Sequence, residues 1–421
     1  MGYLYTALIL LITMLLLHLF TSEDKVLGKI LFWAFVARAG VMLFDSFVYS
    51  GLPYLTASDA SRFHQMGLRF AEFGFAELIY PPYPTGSTLY AYWIGMVYSF
   101  FGTEERAVVK AFNILAGVFT VYNGYHISRL LWTRGIAIQN AWILALFPLL
   151  VVYSQNFLRE AFFAYFLTLG IWYFLSWYKL GRTHHIFFSI LSISLSSAFH
   201  VGALMSLLAL ALYNVWIFFH SFFIGKTYSA GRTIFSTLVL LGGLYFMNAT
   251  GWGLPSIGGE GALQEFGVEE LIEERGGDRR TGRAAYLTGM TASSTADVVW
   301  QTPIRAVYFL FAPFPWMLNS VWDLVGLMDA LFYLLILFGI YKSLPVIRQN
   351  PSRVIILLML LGMVIMFAWG VTNYGTGMRH RAKIVTLAIC VAPSLYPFRR
   401  LVFDRAKQTW NVIYTSRWFR N

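Results

Sequence analysis

The sequence predicts an all-α polytopic membrane protein with about eleven transmembrane helices and interfacial or re-entrant helices in its exterior loops. Three observations lead there. Of 421 residues, 58% are hydrophobic and only 12% are charged, against about 25% charged in a typical soluble domain. Mean hydropathy is +0.62. Apolar stretches long enough to cross a hydrocarbon core of about 30 Å, roughly 17–25 residues each, recur along the chain. Such a composition excludes soluble enzymes, nucleic-acid-binding proteins and disordered chains. Cys390 is the only cysteine, which leaves no internal disulfide and no cysteine-based metal site.

The stretches fall at 3–20, 28–48, 86–102, 107–128, 136–153, 160–177, 186–221, 233–248, 301–318, 323–341, 354–372 and 383–397. Residues 186–221 are long enough for two spans, with a break near His200-Val201-Gly202. The first stretch lacks a basic leading segment and a small-residue cleavage site, and reads as a retained span. Two stretches are expected not to cross fully. Residues 86–102 follow Pro81-Pro82-Tyr83-Pro84, and 301–318 contain Pro303, Pro313 and Pro315, which interrupt a helix.

Short loops rich in Lys and Arg stay on the cytoplasmic side. Here they are Arg129/Arg134, Lys179/Arg182, Lys226/Arg232, Lys342/Arg348/Arg353 and the tail with Arg399, Arg400, Arg405 and Lys407. Placing all five inside puts 51–106, 154–160, the turn at His200, 249–300 and 373–382 outside. Residues 1–397 then form one transmembrane domain in the plasma (inner) membrane, with large exterior loops 51–106 and 249–300. Residues 398–421 form a cytoplasmic basic tail whose mixture of cations and aromatics suits an interfacial helix on anionic headgroups. The 249–300 loop is acidic, and Gly258-Gly259 and Gly276-Gly277 bracket a surface helix within it.

Ionisable side chains in or beside apolar segments are costly and mark function by default. Most of them collect at the exterior face. Asp59, Arg62 and His64 lie on an amphipathic helix just after the second span. Arg159 and Glu160 stand where one span ends and the next begins, and His200 occupies an exterior turn. Arg379, His380 and Arg381 follow a glycine-rich loop, where the planar Arg fork matches phosphate oxygens. Each also has a plain structural reading: a solvated carboxylate for Asp59, a boundary pair for Arg159 and Glu160, a hydrogen-bonded turn residue for His200. Arg38 and Asp45 share a face of the second span, about two turns apart, and read equally as helix-to-helix ties and as site residues.

An exterior carboxylate with exterior arginines suits sugar transfer from a polyprenyl-phosphate donor. The carboxylate takes the acceptor's proton, and the cations hold the phosphate as charge builds on it. The sequence also resembles the GT-C superfamily of polytopic glycosyltransferases, above all the branch with protein O-mannosyltransferases and the lipid A aminoarabinose transferase. The likeness runs from about residue 52 to 180. It is carried by Asp59 after an early span, Tyr80-Pro81-Pro82-Tyr83-Pro84, Phe101-Gly102 with Arg106 and Asn113, and Pro148 through Tyr153-Ser154 to Arg159-Glu160. A weaker likeness recurs at 373–381.

The resemblance implies that Asp59 is the first-loop acid serving as base or metal ligand, and that Glu160 is a second exterior acid. Substrate contacts then fall to Arg62, His64, Tyr80, Tyr83, Arg159, His200, Arg379, His380 and Arg381. Asp59 is followed by Ala60 where many relatives have a second acid. A divalent metal therefore stays open as a cofactor, since a hard cation wants several oxygens. The partners implied are a polyprenyl-phosphate sugar donor, a glycan or lipid-linked acceptor and membrane lipid, with no nucleic acid. Two other readings remain open. One is an O-antigen or exopolysaccharide polymerase, suggested by Phe199-His200 followed by Val201-Gly202-Ala203. The other is a flippase or transporter of a lipid-linked sugar, which predicts an inverted repeat that the sequence does not display.

Overall fold

Hydrocarbon offers no hydrogen bonds, so a chain this apolar folds as helices that satisfy their own backbones. The structure, a computed structural model, describes residues 1–47, 58–80, 83–84, 87–182, 184–224, 283–321, 323–392, 399–404 and 409–414. Within the transmembrane domain expected over 1–397, the helices group into two compact units. One is formed by Met1–Leu204, and the other by the described residues from Met205 onward. The chain is a multi-pass membrane protein. Six described helices are long and apolar enough to cross, or seven if one bent pair counts as a single span. The expected stretch 233–248, the basic loop 226–232 and the bracketed surface helix in the acidic loop lie outside the described residues.

The first unit runs α1 (Gly2–Thr21), α2 (Lys25–Phe47), α3 (Ser58–Ala71), the short α4 (Phe75–Leu78), α5 (Ser87–Phe101) and α6 (Arg106–Leu131). It continues with α7 (Arg134–Leu146), α8 (Pro148–Gln155), α9 (Glu160–Leu180) and α10 (His184–Phe199). Helix α6 is the hub, packing on α1, α2, α7, α8 and α9. Helix α1 is at the opposite extreme. Leu4, Leu8, Leu11, Leu15 and Leu19 are exposed along it, as expected for a lipid-facing stripe. Its threonines are satisfied internally, with Thr6 and Thr13 donating to the carbonyls of Gly2 and Ile9. Helix α5 has 15 residues, about 22 Å of helix, short of a bilayer crossing.

Helix α3 carries the polar-and-apolar patterning expected of it, and packs tightly along α5. A Cβ at Gly67 would come within 2.4 Å of Ile94, and one at Gly95 within 2.4 Å of Phe70. Only glycine permits this approach of the two helices.

Between α7 and α8 the chain bends by 55°. Pro148 has no N–H for the Leu144 carbonyl and disrupts the helix. Buried Arg38 of α2 takes over. Its guanidinium donates to Ala145 O at 2.9 Å, to Leu144 O at 3.5 Å and to Ala34 O at 2.9 Å. Gly117 of α6 leaves it room, since a Cβ there would meet Ser154 at 2.3 Å and Arg38 Nε at 3.1 Å. Arg38 is thus a tie between α2 and the broken helix, and Asp45 is not its partner.

The second unit holds α11 (Leu204–Ile224), α12 (Thr295–Phe311), α13 (Asp323–Ile347), α14 (Pro351–Gly370) and α15 (Tyr374–Val391). Helix α12 starts in a capping box between Ser294 and Asp297 and ends before Pro313, whereas Pro303, also expected to interrupt it, lies within the helix. Helix α15 corrects the sequence reading. Residues 373–382 were assigned to a loop, but Asn373 caps a helix by accepting the Thr376 amide. Arg379, His380 and Arg381 therefore sit on its second turn.

The tail is a second correction. In place of an interfacial helix it forms two antiparallel strands, β1 (Arg399–Asp404) and β2 (Thr409–Tyr414), paired Arg399 with Tyr414 through Asp404 with Thr409. Val402, Phe403, Trp410, Val412, Ile413 and Tyr414 are residues that favour strands.

Candidate active site

At one end of the first unit α2 and α8 finish while α3, α6 and α9 begin. Helix ends there expose unpaired backbone groups, and the sequence supplies polar side chains to meet them. Asn113, fully buried on α6, donates to the carbonyls of Asn156 and Leu158 and to the Tyr90 hydroxyl at 2.9 Å. It thereby fixes the non-helical link between α8 and α9. Phe157 at that link packs edge-on against His64 of α3, with ring centroids 5.8 Å apart. His64 Nδ1 meets the Tyr98 hydroxyl at 2.8 Å. Burial lowers the His64 pKa below its ordinary value, and the nearby Arg106 charge pushes it the same way, with Glu104 opposing.

This end of the unit encloses a polar pocket of about 220 Å³, lined by Tyr3, Asp45, Ser46, Ala60, Glu105, Arg106, Ala107, Lys110, Asn156 and Phe157. Its volume equals that of about seven waters in the liquid, suited to one small polar group. Across it Lys110 and Asp45 form an ion pair at 2.5 Å, with side-chain exposures of 10% and 8%. Asp45 Oδ1 and Asn156 Nδ2 are buried without hydrogen-bond partners among the described residues. Arg106 and Lys110 are four residues apart on α6, hence on one face, and both line the pocket. The first turns of α3 and α6 add the positive ends of their helix dipoles. The wall thus carries Arg106, the Lys110–Asp45 pair, the Glu105 carboxylate and the Asn156 amide donor.

Asp59 stands in the first turn of α3, half-exposed, next to the pocket-lining Ala60. Arg62 is exposed on the same helix. Tyr80 and Tyr83 are exposed at 72% and 43%, with the Tyr83 hydroxyl donating to the Ile79 carbonyl. Pro81 and Pro82 between them lie outside the described residues. Glu160 is 2% exposed in the first turn of α9, a buried acid. Arg159 donates to the Phe199 carbonyl at 2.8 Å and ties α9 to the end of α10. His200 caps the short turn after it, its Nδ1 accepting the Gly202 amide at 3.1 Å, which is the plain turn role.

In the second unit the basic triplet divides. Arg381 is 0% exposed. Its Nε lies 2.8 Å from Asp329, and its Nη1 donates to the carbonyls of Phe309, Leu310 and Ala312. Pro313 has no N–H for the Phe309 carbonyl, so Arg381 closes the end of α12 as Arg38 closes the end of α7. With its fork turned to backbone and carboxylate, Arg381 is removed from the list of phosphate contacts. His380 donates from Nδ1 to the Thr376 carbonyl at 2.9 Å and packs on Phe367; Arg379 is half-buried beside it. Among the described residues no group of three or more His, Cys, Asp or Glu side chains is placed to hold a metal ion.

Sequence reading missed the Asp45–Lys110 pair and the Asn156 donor. The partners of the pair are 65 residues apart, and Asp45 was weighed against Arg38 on its own helix. The four-residue spacing of Arg106 and Lys110 was the available signal. No protein-family model matches the chain, and no curated protein matches it significantly.

Proposed function

We propose that this protein is a membrane glycosyltransferase that moves a sugar from a polyprenyl-phosphate donor to a glycan or lipid-linked acceptor at the exterior face of the plasma membrane. The observation that supports it best is the pocket of the first unit. It is lined by two cations, Arg106 and Lys110, and two carboxylates, Asp45 and Glu105, is bordered by Asp59, and lies at the end of helices whose outer surfaces suit a lipid tail. In the reaction the acceptor hydroxyl attacks the anomeric carbon as the bond from that carbon to the phosphate oxygen breaks. The acceptor's proton passes to the Asp59 carboxylate, and the electron pair leaves with the polyprenyl phosphate. Arg106 and Lys110 are the cations that receive the growing phosphate charge. Glu160, 2% exposed, is too enclosed to meet substrate.

A panel of polyprenyl-phosphate sugars given to the purified protein, with and without chelator, tests the reading. At least one donor is expected to be turned over, by transfer or by slow hydrolysis, and the chelator arm decides the metal requirement. Asp59→Asn is expected to lower that rate by about 10²–10⁴-fold, the usual share of a general base, with unchanged melting. Failure of every donor, or wild-type turnover in the variant, would overturn it.

A further inference from the structure

The second unit holds a larger cavity of a different character. Helices α11 and α14 meet where Ser206 touches Met363 at 3.6 Å and where a Cβ on Gly362 would lie 3.4 Å from Met205. From there toward the start of α14 they leave a groove of about 810 Å³, within the range of small-molecule sites. Its walls are apolar, among them Leu208, Leu212, Leu358 and Ile365. Arg348 is the single charged residue among the described residues that line it. Arg348 is exposed, and its guanidinium makes no hydrogen bond or ion pair among the described residues.

Three features identify the occupant. The first is length. On α14 the lining runs from Pro351 to Ile365, a rise of ~21 Å at ~1.5 Å per residue, matching the ~20 Å of one leaflet with its headgroup region. Gly362 and Met205 narrow it and Ile365 lies one turn further on, a length that suits an acyl chain and not a long polyprenyl tail. The second is charge. Lys342 and Arg353 flank Arg348 in sequence, and no acidic residue occurs between Asp329 and Asp404, so the mouth favours an anion. The third is the aromatic pair at the mouth. Tyr213 and Trp216 stack with centroids 5.7 Å apart, and such rings settle at the headgroup level.

We propose that the α11–α14 groove binds one acyl chain of an anionic glycerophospholipid, with the headgroup phosphate on Arg348. The Arg348 mouth is at the opposite end of α14 from Asn373 and the Arg379-His380 turn. The site is therefore a structural lipid site separate from that cluster, and it does not depend on the transferase reading.

The test is native mass spectrometry of the full chain released from nanodiscs of mixed phosphatidylglycerol and phosphatidylcholine. A photoreactive phosphatidylglycerol maps the contact. The expected result is one retained phosphatidylglycerol, crosslinked to α11 or α14. Arg348→Gln is a surface change that should lower the retained ratio of phosphatidylglycerol to phosphatidylcholine about fivefold, the factor given by ~1 kcal/mol per basic residue at an anionic surface. Gly362→Phe fills the inner end and should abolish retention of either lipid. Equal retention of the two lipids, an unchanged ratio in Arg348→Gln, or crosslinks elsewhere on the chain would overturn the proposal. So would recovery of an added polyprenyl phosphate from the groove in place of the phospholipid.

Discussion

In each unit a buried carboxylate faces a buried cation, Asp45 with Lys110 and Asp329 with Arg381, and these two pairs are built for different ends. Asp329 and Arg381 have side-chain exposures of 2% and 0%. The arginine's Nη1 goes to the carbonyls around Pro313, and although its Nη2 and Asp329 Oδ1 have no hydrogen-bond partner among the described residues, both side chains are shut inside the unit. Asp45 and Lys110 lie on a pocket wall, and one carboxylate oxygen of Asp45 has no hydrogen-bond partner among the described residues. The chemistry is the same and the surroundings decide the role: the enclosed pair organises helices, while the pair on the pocket has contacts to offer. Charge in an apolar segment is thus a pointer to function only once its partners are known.

Breaking the enclosed pair should have the largest effect. Arg381→Met leaves a buried carboxylate and several carbonyls unpartnered and is expected to cost about 3–5 kcal/mol, read as a lower thermal midpoint or loss of folded protein. Adding Asp329→Leu to the same chain should restore part of that stability. Lys110→Met comes next. It removes one partner of a pair already open to a polar pocket, and about 1–3 kcal/mol is expected, together with at least tenfold slower turnover of any donor that the wild type uses.

The smallest effect concerns pH. His64 titrates lower in the folded protein than its ordinary 6.5, so the folded state favours the neutral ring. Its contribution is complete above pH 6.5 and is lost as pH falls through the lowered folded value. Thermal midpoints measured across that range should fall on acidification, and less steeply in His64→Gln.

Much of the helical architecture was legible in the sequence because lipid imposes simple demands: apolar length, proline breaks, and the amphipathic α3 that carries Asp59. The site was legible only in part. Asp59 and Arg106 could be reached through local pattern, but the Asp45–Lys110 contact joins α2 to α6, and no periodicity encodes it. Arg381 misled for a related reason. Glycines at 375 and 377 suggested a loop, whereas the Asn373 cap and burial of the turn make them helical. In hindsight Pro148 and Pro313 carried information: a proline that ends a buried helix strands carbonyls, and in both units an arginine answers.

The most direct measurement sets the two pairs side by side, with thermal midpoint and turnover per folded molecule recorded for Lys110→Met and Arg381→Met. The account predicts that Lys110→Met loses turnover out of proportion to its modest loss of stability. Arg381→Met should lose stability while the molecules that remain folded turn over donor at the wild-type rate. Wild-type turnover in Lys110→Met, or inactive but fully stable Arg381→Met, would contradict it.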